Sequence, residues 1–117
     1  VALTREQINA AKDVVTKSVD VPEWGGPVLL RSLTGADRAA IGRLLHIDKD
    51  ADVVTATLSR GLVGDDGQLL YTLDEVDELG RRNWTVIERL AGELNRMSSL
   101  GAAGLEQEKK DSAPTVS

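Results

Sequence analysis

Pro22 and the pair Gly25-Gly26 divide one extended stretch of this chain into two. Before them, Val19-Asp20-Val21 alternates apolar and polar residues, the period of a strand with one buried face. After them, Val28-Leu29-Leu30-Arg31-Ser32-Leu33 is again extended in character. Proline has no N–H to give to a ladder, and a glycine pair permits positive φ at a reversal. Residues from about 14 to 33 are therefore predicted to form a β-hairpin. Trp24 stands in the turn, where it can fold over the hairpin, although the tip of a hairpin is a hard place to bury a ring.

The remainder is written in helical periods. Thr4 with Gln7 makes a capping box, so a short helix is expected near residues 4 to 12. Thr34-Gly35 marks a start, and the spacing predicts a helix over 36–46 with Ala40, Ile41, Leu44 and Leu45 on one face and Asp37, Arg38 and Arg43 mostly elsewhere. A helix over 52–63 follows, with Val54, Leu58 and Leu62 four apart and Asp52 favourable near its positive N-terminal end. Asp65-Asp66-Gly67 is a turn. Thr72 with Glu75 gives the clearest capping box, opening a helix over 73–80 whose Leu73, Val76 and Leu79 face inward. The longest helix is predicted over 83–98, where Trp84, Ile87, Leu90, Ala91 and Leu94 make a stripe. Residues 101–117 hold little to bury and are expected to be a disordered tail or linker. The fold class is thus α+β: one domain over 1–100, an N-terminal β-hairpin packed on three or four α-helices.

The charge balance narrows what such a domain can bind. Across 117 residues there are 14 basic and 19 acidic side chains, a net charge of −5, which repels a phosphate backbone. No nucleic-acid partner is expected. No apolar run reaches the roughly 18–20 residues of a membrane span, and no basic segment leads into an apolar leader, so neither membrane nor secretion is expected. The absence of cysteine excludes disulfides, thiolate metal sites and a cysteine nucleophile.

Nor do the motifs assemble a reaction. His46 is the single histidine and reads as a helix C-terminal residue favoured by the dipole. Asp48-Lys49-Asp50-Ala51-Asp52 begins like a calcium loop, but the positions that need Gly and Glu hold Val53 and Ser59. Asp65 and Asp66 are adjacent carboxylates in a turn and point apart. Gly61, Gly64 and Gly67 fit neither the dinucleotide fingerprint nor the P-loop. Arg81-Arg82 and Lys109-Lys110 are isolated pairs without interleaved aromatics. No catalytic residue, cofactor or metal ligand is predicted; the sequence reads as a non-enzyme.

The segment 19–38 resembles a family. Val19, Val21 to Gly26, Val28, Arg31, Leu33 to Gly35, Asp37 and Arg38 match the "V-x-V-P-E-W-G-G-x-V-x-x-R-x-L-T-G-x-D/E-R" wording of the tail assembly chaperones of long-tailed bacteriophages. A second block, Asp65 to Val76, is similar to the family's "D-x-x-G-x-x-L-F-T-x-x-D-V", with Tyr71 in place of the usual Phe. Together the blocks cover about residues 14 to 100 in the family's order. The helix from Ala39 to Leu45 departs from the pattern, lacking the aromatic or acidic positions often seen there.

The resemblance implies a siphovirus-type chaperone that coats the tape measure protein, keeps it soluble and promotes polymerisation of the tail tube protein around it. It also implies host cytoplasmic localisation and absence from the mature virion; the alternative is a small structural tail protein retained in the particle. Many members are made in a second, longer form by a programmed ribosomal frameshift, through which tail tube protein is engaged, and Glu108-Lys109-Lys110 is compatible with an adenine-rich slippery run. Self-association as a homo-oligomer is left open. Partner binding is expected from the hairpin tip, Trp24, Gly25 and Gly26, and from the last-helix residues Trp84, Ile87, Leu90 and Leu94, with core packing the competing role for most of that stripe.

Overall fold

A computed structural model describes the backbone of residues 1–111 and the side chains of residues 1–99. The predicted hairpin is present. Strand β1 (Thr16–Val21) pairs antiparallel with β2 (Gly26–Arg31) in the register Val21 to Gly26, Val19 to Val28 and Lys17 to Leu30. Alternation turns Val19 and Val21 inward and leaves Thr16, Ser18 and Asp20 in solvent.

The reversal is a single 3-10 turn, Pro22–Trp24, closed by the Gly25 N–H donating to the Pro22 carbonyl at 3.1 Å. Gly25 takes φ +89°, the left-handed conformation that a Cβ disfavours. The second glycine has a different role from the one expected, since Gly26 is already the first residue of β2.

The described residues form five α-helices besides the sheet. The first, α1 (Arg5–Asn9), has the Thr4–Gln7 capping box and buries nothing. In α2 (Gly35–Ile47) the cap is Thr34, boxed with Asp37. Helix α3 (Val53–Ser59) is capped by Asp52, whose Oδ2 accepts from the Thr55 N–H at 2.8 Å and the Thr55 hydroxyl at 2.9 Å. The Thr72–Glu75 box opens a 3-10 turn, Leu73–Glu75, that runs on into α4 (Val76–Leu79). Last comes α5 (Trp84–Asp111), started by Asn83, whose Oδ1 accepts from the Thr85 and Val86 N–H groups.

Two expectations are corrected. The helix predicted over 52–63 stops at Ser59, and Leu62–Val63 forms a third strand, β3, antiparallel to β2 with Leu30 opposite Leu62. The sheet order is β1-β2-β3, so β2 is central. Leu58 and Leu62 share a four-residue spacing, but Gly61 between them brings the backbone against α5: a Cβ there would lie 2.3 Å from Leu94 Cδ2. That close approach ends the helix and delivers Leu62 to the sheet. Beyond β3, the turn at Gly67 (φ +79°) folds the chain back so that Val63 bridges Leu69 and the Leu70 N–H reaches the Leu62 carbonyl.

The second correction concerns the end of α5, which continues through residue 100 to Asp111 rather than stopping near residue 98. The expectation for residues 112–117 lies outside the described residues.

The core forms between the sheet, α3 and α5. Val21, Leu30, Leu58 and Leu79 are fully buried against Ile87, Leu90, Leu94 and Met97 of α5. A smaller cluster, Ile41, Ala56 and Val76, joins α2, α3 and α4.

Candidate functional site

The residues expected to meet a partner divide into frame and surface. Ile87, Leu90 and Leu94 are 0–1% exposed and form the central seam of the core. They are not a binding face on the folded chain; the apolar stripe of α5 is consumed by the hairpin and α3, the outcome burial of about 25 cal/mol per Å² of apolar area favours. Trp84, at the start of the same stripe, escapes: it is 49% exposed. Trp24 behaves in the opposite sense to a residue at an open hairpin tip, for it is half-buried and packs on the core.

The cause is local. The 3-10 turn and left-handed Gly25 curl the tip back, and the neighbouring Glu23 is clamped to α5. Arg89 Nη1 and Nη2 donate to Glu23 Oε2 and Oε1, both at 2.9 Å. Those two hydrogen bonds hold the Glu23 carboxyl well below its ordinary value and raise the Arg89 guanidinium. A second tie crosses lower down, where Lys17 of β1 and Arg96 both reach Glu93 on α5. The hydrogen bond from Arg96 and that from Lys17 keep Glu93 ionised against the opposing effect of burial.

The other half of the segment 19–38 is occupied by a buried charge cluster. Asp37, set off the apolar face by its position in α2, is only 2% exposed. Its Oδ2 accepts from Arg31 Nη2 at 2.8 Å and from the Thr34 N–H at 2.9 Å; its Oδ1 accepts from Arg60 Nη2 at 2.9 Å and Nε at 3.1 Å. Arg31 Nη2 also donates to the Arg60 carbonyl at 3.0 Å. Burial pushes the Asp37 carboxyl up, but the Thr34 and Arg60 hydrogen bonds and the Arg31 charge outweigh it and hold the carboxyl below its ordinary value. Arg31, Thr34 and Asp37 of the motif thus fasten β2, the start of α2 and the end of α3 at one point. Arg60, which completes the cluster, was not singled out in the sequence, because nothing in local spacing connects residue 60 to residue 37.

Two open grooves flank α2. One runs past Leu33, Ile41, Leu45 and Val53, with Arg38 at its edge. The other lies between the end of α2 and the start of α4, floored by Leu44, Leu73 and Val76 and edged by Ile47, Asp48, Asp74 and Asp77. His46 is exposed in the last turn of α2. Among the described residues no three His, Cys, Asp or Glu side chains are arranged to hold a metal ion, and no helix is long and apolar enough to cross a membrane.

The fold, a three-stranded sheet led by the hairpin and packed on the long helix α5, is similar to that of a phage tail assembly chaperone, so the chain is phage tail assembly chaperone-like. One solved structure it is similar to is the bacteriophage HK97 tail assembly chaperone: the two chains are 25% identical, with a TM-score of 0.57, over 76% of this chain and 88% of that one. No family model matches the chain, and no curated protein matches it in sequence.

Proposed function

We propose that this chain is a chaperone of phage tail assembly that binds the tape measure protein, keeps it soluble, and promotes polymerisation of tail tube protein around it. The observation that supports this reading is the structural likeness to the HK97 chaperone, which spans most of both chains. The chemistry is consistent with it. A long tape measure protein exposes apolar stretches before the tube encloses it, and a small acidic domain with apolar grooves can shield them.

On this reading the protein is not an enzyme. It acts in the host cytoplasm, is absent from the finished virion, and engages the tail tube protein through a longer frameshifted form. Trp84 and Gly25, exposed, and Trp24 and Gly26, partly buried, are the members of the expected set still able to touch a partner, while Ile87, Leu90 and Leu94 maintain the frame.

Coexpression with the tape measure protein from the same genome tests the proposal. Soluble tape measure protein that co-purifies with the chaperone is the expected result. If the tape measure protein stays insoluble with both the short and the frameshifted form, the proposal fails. Mass spectrometry of purified virions tests the localisation, with stoichiometric presence of the chain pointing instead to a structural tail protein.

A further inference from the structure

The two grooves beside α2 differ in charge. The ionisable residue lining the first is a cation, Arg38, whereas all three ionisable residues lining the second are aspartates: Asp48, Asp74 and Asp77. Asp48 is partly engaged, accepting from the Asp50 N–H at 3.0 Å. No described side chain pairs with Asp74 or Asp77. Lys49 is exposed in the adjoining turn but does not line the groove.

Ile47, at the end of the thirteen-residue α2, is 80% exposed and so stands at the rim of the groove, above the partly buried Leu44 and Leu73. Because α2 ends here, the partial negative charge of its C-terminus adds to that of the three carboxylates. An apolar floor under a rim of one sign selects a ligand with an apolar side chain between cationic ones. It repels acidic segments.

We propose that the groove between α2 and α4 docks a protein segment in which an apolar side chain is flanked by lysine or arginine, the apolar group seating on Ile47, Leu44 and Leu73 and the cations pairing with Asp74 and Asp77. Resting on the chaperone reading, this assigns the groove to basic-flanked apolar stretches of the tape measure protein.

The test uses two synthetic helical peptides of identical leucine pattern, one with lysines flanking the leucines and one with glutamates, titrated into the full chain by calorimetry. The lysine peptide should bind, and the glutamate peptide should not. Asp74→Asn with Asp77→Asn, and separately Ile47→Ser, should each weaken binding at least ten-fold, as should raising salt from about 50 to about 500 mM for the wild type. Thermal melts of the variants verify that they fold, as expected for exposed positions. Equal binding of both peptides, no binding of either, or affinity unchanged in the variants overturns the proposal. So does a dimer, seen by sedimentation, that Ile47→Ser abolishes, since a second copy would then be the occupant. In coexpression, a triple variant that still solubilises the tape measure protein fully removes the groove from the account while leaving the chaperone reading intact. Failure of the wild type itself removes the chaperone reading, and the peptide titration still decides the groove.

Discussion

At the scale of single residues, Gly61 and Asp37 hold positions that no neighbour in sequence accounts for. Gly61 is needed for clearance: the atom an alanine would add falls within 2.3 Å of Leu94 Cδ2 and 2.7 Å of Cδ1. Gly61→Ala should destabilise the chain by about 1–3 kcal/mol, the usual cost of overpacking, read as a lower urea midpoint with unchanged slope. Adding Leu94→Ala to that variant should recover part of the loss from the clash. Asp37 is needed for charge. Asp37→Asn leaves two guanidinium groups facing each other without an anion and should cost about 2–4 kcal/mol, below the upper end for a broken buried pair because the arginine side chains are 25% and 21% exposed. The effect depends on pH with a definite sign. A carboxyl held below its ordinary value of 3.8 in the folded chain contributes its full stability above that value and loses it as pH falls through the lower folded one. The difference between wild type and Asp37→Asn should therefore be constant near neutrality and shrink below about pH 4.

At the scale of elements, the hairpin shows what periodicity can and cannot deliver. Alternation along Val19 to Val21 and Pro22 with Gly25 gave both strands and the reversal. They could not say which way the tip leans, since that is set by Glu23 meeting Arg89, 66 residues away. Glu23→Gln should leave global stability nearly unchanged, because both partners are close to half exposed, at 45% and 46%. Amide exchange in Val21 to Gly26 should nevertheless quicken as the tip loses its tie, while exchange in the body of α5 should not change. The capping boxes at Thr4 and Thr72 were legible because a cap is a contact between residues three apart; at Thr34 the sequence marked the helix start but not the box that Asp37 closes. Strand β3 was not legible. Leu62–Val63 is two residues long, and its pairing partners, Leu30 and Leu29, lie in a strand far upstream in the chain.

At the scale of the whole molecule, α5 is the common wall of the structure. The hairpin, α3 and α4 all place fully buried residues against it, so none of them keeps a core of its own if it separates. Unfolding should therefore be a single transition. Fluorescence, which reports Trp24 on the hairpin and Trp84 on α5, and far-ultraviolet circular dichroism should give coincident urea midpoints. A tryptophan transition that precedes loss of helix would show that the hairpin opens by itself.

The division between what the sequence settled and what folding settled follows the range of the interactions. Strand alternation, proline and glycine at the reversal, threonine caps and the apolar period of α5 are all decided within a few residues, and each was set by the chain's own order. The wording of residues 19–38 carried the likeness to tail assembly chaperones without any coordinates. Which apolar residues of α5 become core and which stay on the surface was decided only by packing. Ile87, Leu90 and Leu94 share one helical stripe with Trp84, yet the sheet and α3 cover the first three and leave the fourth half exposed. The Asp37 cluster and the aspartate-edged groove arose in the same way, because desolvation and long-range pairing act on neighbours in space that the chain order keeps far apart.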